Sequence, residues 1–176
     1  MIRERLRGEK IMLREMVDGD LELIFDWENR SELWYLGDVH EPVTEAEISN
    51  FINHSTGDIY TDGQLRLMID DLESRTVGCI DLFEFDRYNK RAGVGILIAE
   101  KQDRSKGYAH EALKLLSDYC FEVLDLRQLH CHITVDNEAS MRLFAACGFV
   151  ESGRNRDWVK KGNVFIDAVF MQRLNG

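Results

Sequence analysis

The densest group of chemically capable residues is the run Arg104-Ser105-Lys106-Gly107-Tyr108-Ala109-His110. It follows an apolar stretch, residues 93–99, and opens the clearest helical pattern, residues 107–123. The start of a helix presents backbone N–H groups with no internal partner, together with the positive end of the peptide dipoles. Both attract an anion, phosphate above all. Gly107 lets the backbone approach such an anion with no side chain in the way, Ala109 keeps the first turn thin, and Arg104 and Lys106 add charge. A pyrophosphate is the expected guest; the plain alternative is a solvated basic turn. Neither GxxxxGK(S/T) nor GxGxxG occurs, which excludes a Walker loop and a dinucleotide fingerprint.

Asn137-Glu-Ala-Ser140, with Gly148-Phe149 beyond it, forms a second strand-to-helix junction. Asn137 suits a helix N-cap, a role that accounts for it chemically. Two such junctions in one chain strengthen the anion-site reading. The histidines do not read as metal ligands, since His130 and His132 alternate on one strand without a third partner and His110 lies elsewhere. Cys79, Cys120, Cys131 and Cys147 are widely spaced among apolar residues, with no CxxC pair, and read as buried reduced thiols.

The elements that must position these groups follow from periodicity. Residues 10–15 read as a strand, and Asp18-Gly-Asp20 opens a helix to about Arg30. Thr44 and Glu47 make a capping box for a helix to His54. Strands are expected at 65–70, 76–85, 93–99 and 129–135, the third of them central because its apolar run is continuous. In the helix at 107–123, Ala109, Ala112, Leu113, Leu116, Cys120 and Val123 share one face. A short helix over 138–147 stops at Gly148. Residues 158–165 read as a hairpin turning near Gly162-Asn163, with the last strand running to about Met171. Phe144, Phe149, Trp158 and Phe165 read as core. The order gives an α/β fold, a mixed sheet with helices on both faces.

Length and charge bound the rest. The 176 residues suit one domain, residues 1–176, and 44% apolar content is enough for a core. Acids outnumber bases by 32 to 22, which argues against general nucleic-acid binding and is compatible with a cationic substrate. No run approaches the roughly 18 apolar residues of a membrane helix, and the charged first ten residues lack the apolar centre of a leader. A cytoplasmic location is expected.

Arg104-x-x-Gly107-x-Ala109, Asn137-x-x-Ser140 and Gly148-Phe149, in this element order, resemble the GCN5-related N-acetyltransferases (GNATs), whose loop reads Gln/Arg-x-x-Gly-x-Gly/Ala. Within them, the chain is most similar to the ribosomal-protein acetyltransferase-like branch and its spermidine/spermine N-acetyltransferase members. The resemblance implies a mostly antiparallel mixed sheet with a splayed central strand pair. Ile96, Leu97 and Ile98 would part from the strand at 129–135 and receive the pantetheine arm of acetyl-CoA. The loop from Arg104 to His110 would hold the pyrophosphate, and Asn137 would touch the pantetheine or its phosphate end. An amine would attack the thioester directly, with an oxyanion donor from the backbone near Leu97.

The leaving thiolate wants a proton donor. Many members carry Tyr seven residues after the Asn, where this chain has Phe144. Ser140 is the substitute that the ribosomal-protein branch suggests. Glu84 stands where the resemblance places a polyamine-site glutamate and is the candidate base; a solvated strand-end acid is the alternative. Asp81 and Glu41 are further candidates for holding a cationic amine. Trp34, Tyr35 and His40 lie where this fold builds its acceptor pocket, although Trp34 reads first as core. A polyamine such as spermidine is the favoured acceptor, with a protein N-terminal amine as alternative and a non-catalytic acyl-CoA-binding module as a third reading. A homodimer or higher homo-oligomer is expected from the resemblance alone.

Overall fold

The computed structural model describes residues 6–37 and 40–176. Seven strands, β1 (Ile11–Glu15), β2 (Leu65–Asp71), β3 (Thr76–Asp86), β4 (Arg91–Ile98), β5 (Gln128–Thr134), β6 (Val150–Lys161) and β7 (Val164–Leu174), form one sheet in the order β1-β2-β3-β4-β5-β7-β6. Every neighbouring pair is antiparallel except β4 and β5, which run parallel. Among the described residues five α-helices join them: α1 (Leu21–Glu28), α2 (Glu45–His54), α3 (Ile59–Asp62), α4 (Tyr108–Glu122) and α5 (Glu138–Ala146).

Strand alternation sorts the side chains into two cores. Ile80, Leu82, Ala92, Val94, Leu129, Cys131, Ile133, Val169 and Met171 point to one face, where α4 adds Ala112, Leu113, Leu116 and Cys120 and α5 adds Phe144. On the opposite face Met68, Cys79 and Ala99 meet Ile24 and Trp27 of α1 and Ile48 and Ile52 of α2. Helices therefore cover both faces, as the pattern predicts. All four cysteines are buried free thiols, and burial pushes the Cys79 and Cys131 thiols up to about 12.

Local chemistry explains where the helices begin and stop. Glu47 N–H donates to Thr44 Oγ1 (3.2 Å) and Thr44 N–H to Glu47 Oε2 (2.7 Å), completing the capping box of α2. At the end of α5, Gly148 N–H donates to the Ala145 carbonyl and Phe149 N–H to the Phe144 carbonyl, both at 3.0 Å. That is the Schellman pattern, and its customary apolar contact is the edge-on pair Phe144–Phe149, centroids 5.0 Å apart. Phe144 thus has a structural duty of its own.

Three expectations need correction. The strand expected within residues 158–165 begins at Val150, because β6 is the sheet's edge: it is mostly solvated on both faces, so no alternation marks residues 151–157. Trp158 is 58% exposed rather than core for the same reason, and Phe165 is equally exposed because it lies on β7 beyond Ala168, the last residue that pairs with β5. Trp34 is half-buried in a 3-10 turn, Ser31–Leu36, with its indole N–H on the Glu28 carbonyl (2.8 Å), so it too is not core. No helix among the described residues is long and apolar enough to cross a membrane.

Candidate functional site

The parallel pairing of β4 and β5 organises the site. It covers only Arg91↔Gln128, Ala92↔Leu129 and Gly93↔His130. Beyond Gly93, β4 stays bonded to β3 as far as Gly78↔Ile98, and β5 stays bonded to β7 as far as Thr134↔Ala168. The two strands keep their outer partners and lose each other, which leaves a wedge with free strand backbone on its inner edges. Ile96, Leu97 and Ile98, all half-buried, stand on its β4 wall. Because β4 and β5 are parallel, both carboxyl ends lie at the same edge of the sheet. Each leads into a helix, so the N-termini of α4 and α5 meet at the open end of the wedge.

The approach to α4 is shaped by two left-handed residues, Ser105 (φ 61°) and Gly107 (φ 87°), on either side of Lys106. Alternation of left-handed and helical residues gathers backbone N–H groups into an anion-holding concavity. Gly107 is the N-cap of α4 and supplies no side-chain hydrogen bond, so the first-turn amides of Tyr108, Ala109 and His110 are available to an external acceptor. Arg104, Ser105 and Lys106 are exposed, as is His110.

The loop is braced from below. Asp103, only 1% exposed, accepts two 2.8 Å bonds from the Arg75 guanidinium and one of 3.1 Å from Lys106. The Arg75 hydrogen bonds, with help from Lys106, overcome burial and hold its carboxyl down to about 2. A carboxyl depressed in the folded state contributes stability that is present above the ordinary value near 3.9 and is lost as pH falls through the folded value. Thermal melts of the native chain between pH 4 and pH 2 will show this loss, and Asp103→Asn will remove that part of the pH dependence. Identical pH slopes for the two proteins would mean that Asp103 carries no such linkage.

Lys10 was not legible as a site residue. Glu111, in the first turn of α4, accepts the amides of Glu9 (2.9 Å), Lys10 (2.8 Å) and Ile11 (2.9 Å) and so clips the start of β1 to that helix. Lys10 Nζ then reaches the Lys106 carbonyl at 3.2 Å and lies 2.8 Å from where a Cβ on Gly107 would sit. A lysine almost a hundred residues away in sequence joins the loop before α4, and nothing in its local sequence signals it.

At the second helix start, Asn137 Oδ1 accepts the Ser140 N–H at 3.2 Å. The side chain therefore works as an N-cap, and Ser140 stands half-buried in the first turn at the wedge mouth.

The carboxylates expected to meet an amine separate into different situations. Asp81 is gripped by both arms of Arg66 (2.7 and 2.9 Å), which also holds Glu28 at 2.7 Å. Its charge is already matched, so it is not the open carboxylate that the sequence suggests. Glu84 sits exposed in an irregularity of β3 between Phe83 and Asp86, at φ 48°. Its charge bears on His130, across the sheet on β5. Glu41 and His40 are exposed in the loop before α2, and Lys161 Nζ lies 4.2 Å from the centre of the Tyr35 ring. Among the described residues no three or more His, Cys, Asp or Glu side chains come together as a metal site.

Comparison with known proteins agrees with this geometry. Residues 10–150 match the family model described as an acetyltransferase (GNAT) domain. Over 148 residues the chain is 27% identical to spermidine N(1)-acetyltransferase of Vibrio cholerae, covering 83% of this chain and 82% of that protein. The crystal structure of spermidine N-acetyltransferase from Vibrio cholerae in complex with CoA and spermine superposes with a TM-score of 0.84 at 25% identity, covering 95% of this chain and 96% of that one. A dodecameric structure of the Vibrio cholerae enzyme superposes with a TM-score of 0.79 at 25% identity, over 95% of each chain. With the family model spanning most of its length, the chain belongs to the GNAT family of N-acetyltransferases.

Proposed function

We propose that this chain moves acetyl from acetyl-CoA to a primary amine by direct attack, and that the amine is a polyamine such as spermidine. The observation that carries the reading is the wedge between β4 and β5 with two helix N-termini at its mouth. The pyrophosphate lies on the amides of residues 107–110, with Arg104, Ser105, Lys106 and Lys10 around it. The pantetheine arm pairs with the free backbone edge at Ile96, Leu97 and Ile98, beside Asn137. That length of extended chain ends near Gly93, where the strands rejoin.

The chemistry then needs a neutral amine, a donor for the oxyanion and a proton for the departing sulfur. A strand amide near Leu97 is the oxyanion donor in this reading, and Ser140 stands at the sulfur end. Glu84 draws in the cationic amine. The Vibrio cholerae enzyme crystallised with spermine supports a polyamine, as does the excess of ten acids over bases in this chain.

A second reading, a protein N-terminal amine, is favoured by one specific finding: Asp81 is occupied by Arg66, which leaves fewer open carboxylates for a polycation. Initial rates with spermidine and with an N-terminal peptide, across a salt series, separate the two. Spermidine turnover is expected and should weaken with salt, because screening acts on a multiply charged acceptor. Glu84→Gln should raise the spermidine Michaelis constant about three- to tenfold, since an exposed charge contributes about 1 kcal/mol. Turnover of the peptide alone would establish the second reading, and CoA binding without turnover of either would leave a binding module. Self-association through the exposed apolar hairpin residues Trp158, Val164 and Phe165 fits the dodecameric neighbour, and sedimentation would measure it.

A further inference from the structure

The wedge has an apex as well as a mouth, and the residue at the apex is His130. It pairs with Gly93 in the last register position before β4 and β5 separate. Alternation along β5 puts Leu129, Cys131 and Ile133 in the main core and turns His130 and His132 to the opposite face, the face that carries Phe83 and Phe170. Gly93 contributes no side chain there, and the Phe83 ring fills the place where a Cβ would go, 2.4 Å from it. His130 packs against Phe170, ring centroids 5.5 Å apart. The residue is only 8% exposed, and its Nδ1 is buried with no hydrogen-bond partner among the described residues. A buried polar atom without a partner costs folding free energy and is rare unless a ligand or a proton uses it.

The charged and titratable groups bearing on His130 lie on β3, β4 and β5. Glu84 of β3 attracts positive charge to the ring; Arg91 of β4, itself 3.2 Å from Asp86, and His132 of β5 repel it. From β7 the ring meets Phe170 and its register partner Gln172, whose amide is bound to Gln128 at 2.6 Å. Burial outweighs Glu84 and lowers the imidazole below its ordinary value, so the ring is neutral at pH 7. A neutral imidazole can accept a proton, which an N–H donor such as Trp or a solvated carboxylate of low basicity cannot do as well near neutral pH.

We propose that His130 is the proton acceptor for the attacking amine, directly or through one water, with Glu84 left the task of attracting the cation. This rests on the acetyltransferase reading of the same wedge. The ammonium gives one proton to His130, and the nitrogen lone pair forms the N–C bond to the thioester carbonyl. The tetrahedral adduct loses its second nitrogen proton to solvent and collapses with C–S cleavage. The thiolate takes a proton from Ser140 or water, and the imidazolium of His130 returns its proton to solvent. One proton is released per turnover.

The test compares the native chain with His130→Gln, which keeps polarity but cannot titrate, and His130→Phe, which keeps packing against Phe170. In the native chain kcat for the amine should fall on the acid side through an ionisation below about 6.5. In His130→Gln that limb should vanish and kcat should fall about 100- to 10,000-fold, with the acetyl-CoA Michaelis constant unchanged. Nitrogen chemical shifts of the His130 ring should titrate below 6.5 and move when CoA and an amine are added together. Folded variants with full kcat and an unchanged acid limb would overturn the inference. If the native chain turned over no amine at all, the acetyltransferase reading itself would fail, and the shift titration would still report whether His130 faces the bound molecules.

Discussion

Gly107→Val will weaken CoA binding by about 100-fold or more, equivalent to about 2.7 kcal/mol. Two effects act together. Gly107 has φ 87°, a conformation that costs an ordinary L-residue about 1–2 kcal/mol and a β-branched one more. The new Cβ also falls 2.8 Å from Lys10 Nζ, so the lysine tip must shift from its place against the Lys106 carbonyl. The backbone relaxes out of the left-handed region, and the first-turn amides lose the arrangement that meets a pyrophosphate. Calorimetric titration with CoA measures the loss, and a thermal melt measures how much fold is lost with it. Gly107→Ala separates the causes, because it carries the φ penalty with less bulk. Native affinity in a folded Gly107→Val would remove this loop as the pyrophosphate site.

Ser140→Ala should lower kcat by about 100- to 10,000-fold if its hydroxyl supplies the leaving thiolate with a proton, and should leave the acetyl-CoA Michaelis constant nearly alone. The helix start survives the change, since Asn137 caps it through the Ser140 backbone N–H rather than through the hydroxyl. Unchanged kcat would mean that the thiolate leaves unaided or through water. The reciprocal change, Phe144→Tyr, tests whether a phenol can replace the serine. Phe144 is 3% exposed and locked edge-on against Phe149, so its new hydroxyl needs a partner or an opening towards the wedge. A rate gain would show that the ring edge reaches the reacting sulfur. A lowered melting temperature with no gain would place the ring wholly in the core.

Much of the helical framework could be read from the chain because it rests on interactions only a few residues apart. The capping box of Thr44 and Glu47, the apolar face of α4, the Gly148 stop of α5 and the glycine at the start of α4 are local geometry and stand where periodicity and residue type put them, except that Val123, expected on that face, lies past the helix end and is 43% exposed. The free amides at the start of α4 were legible for the same reason: a helix start needs only its own first turn to expose them.

Decisions that depend on partners distant in sequence came from packing alone. Alternation marks a strand's two faces but does not say whether the strand has one neighbour or two. The edge position of β6 and the exposure of Trp158 and Phe165 were therefore invisible until the sheet order was known. Charge counting registers Asp81 and Lys10 as one acid and one base. Only the folded chain places Arg66 on the first and carries the second to Gly107, because those contacts cross between strands and from the start of β1 to the loop before α4. Composition likewise does not distinguish a core histidine with its hydrogen bonds made from one buried without a partner. His130 is buried with Nδ1 unpartnered among the described residues at the last pairing of β4 with β5, whereas His132, two residues along the same strand, is exposed.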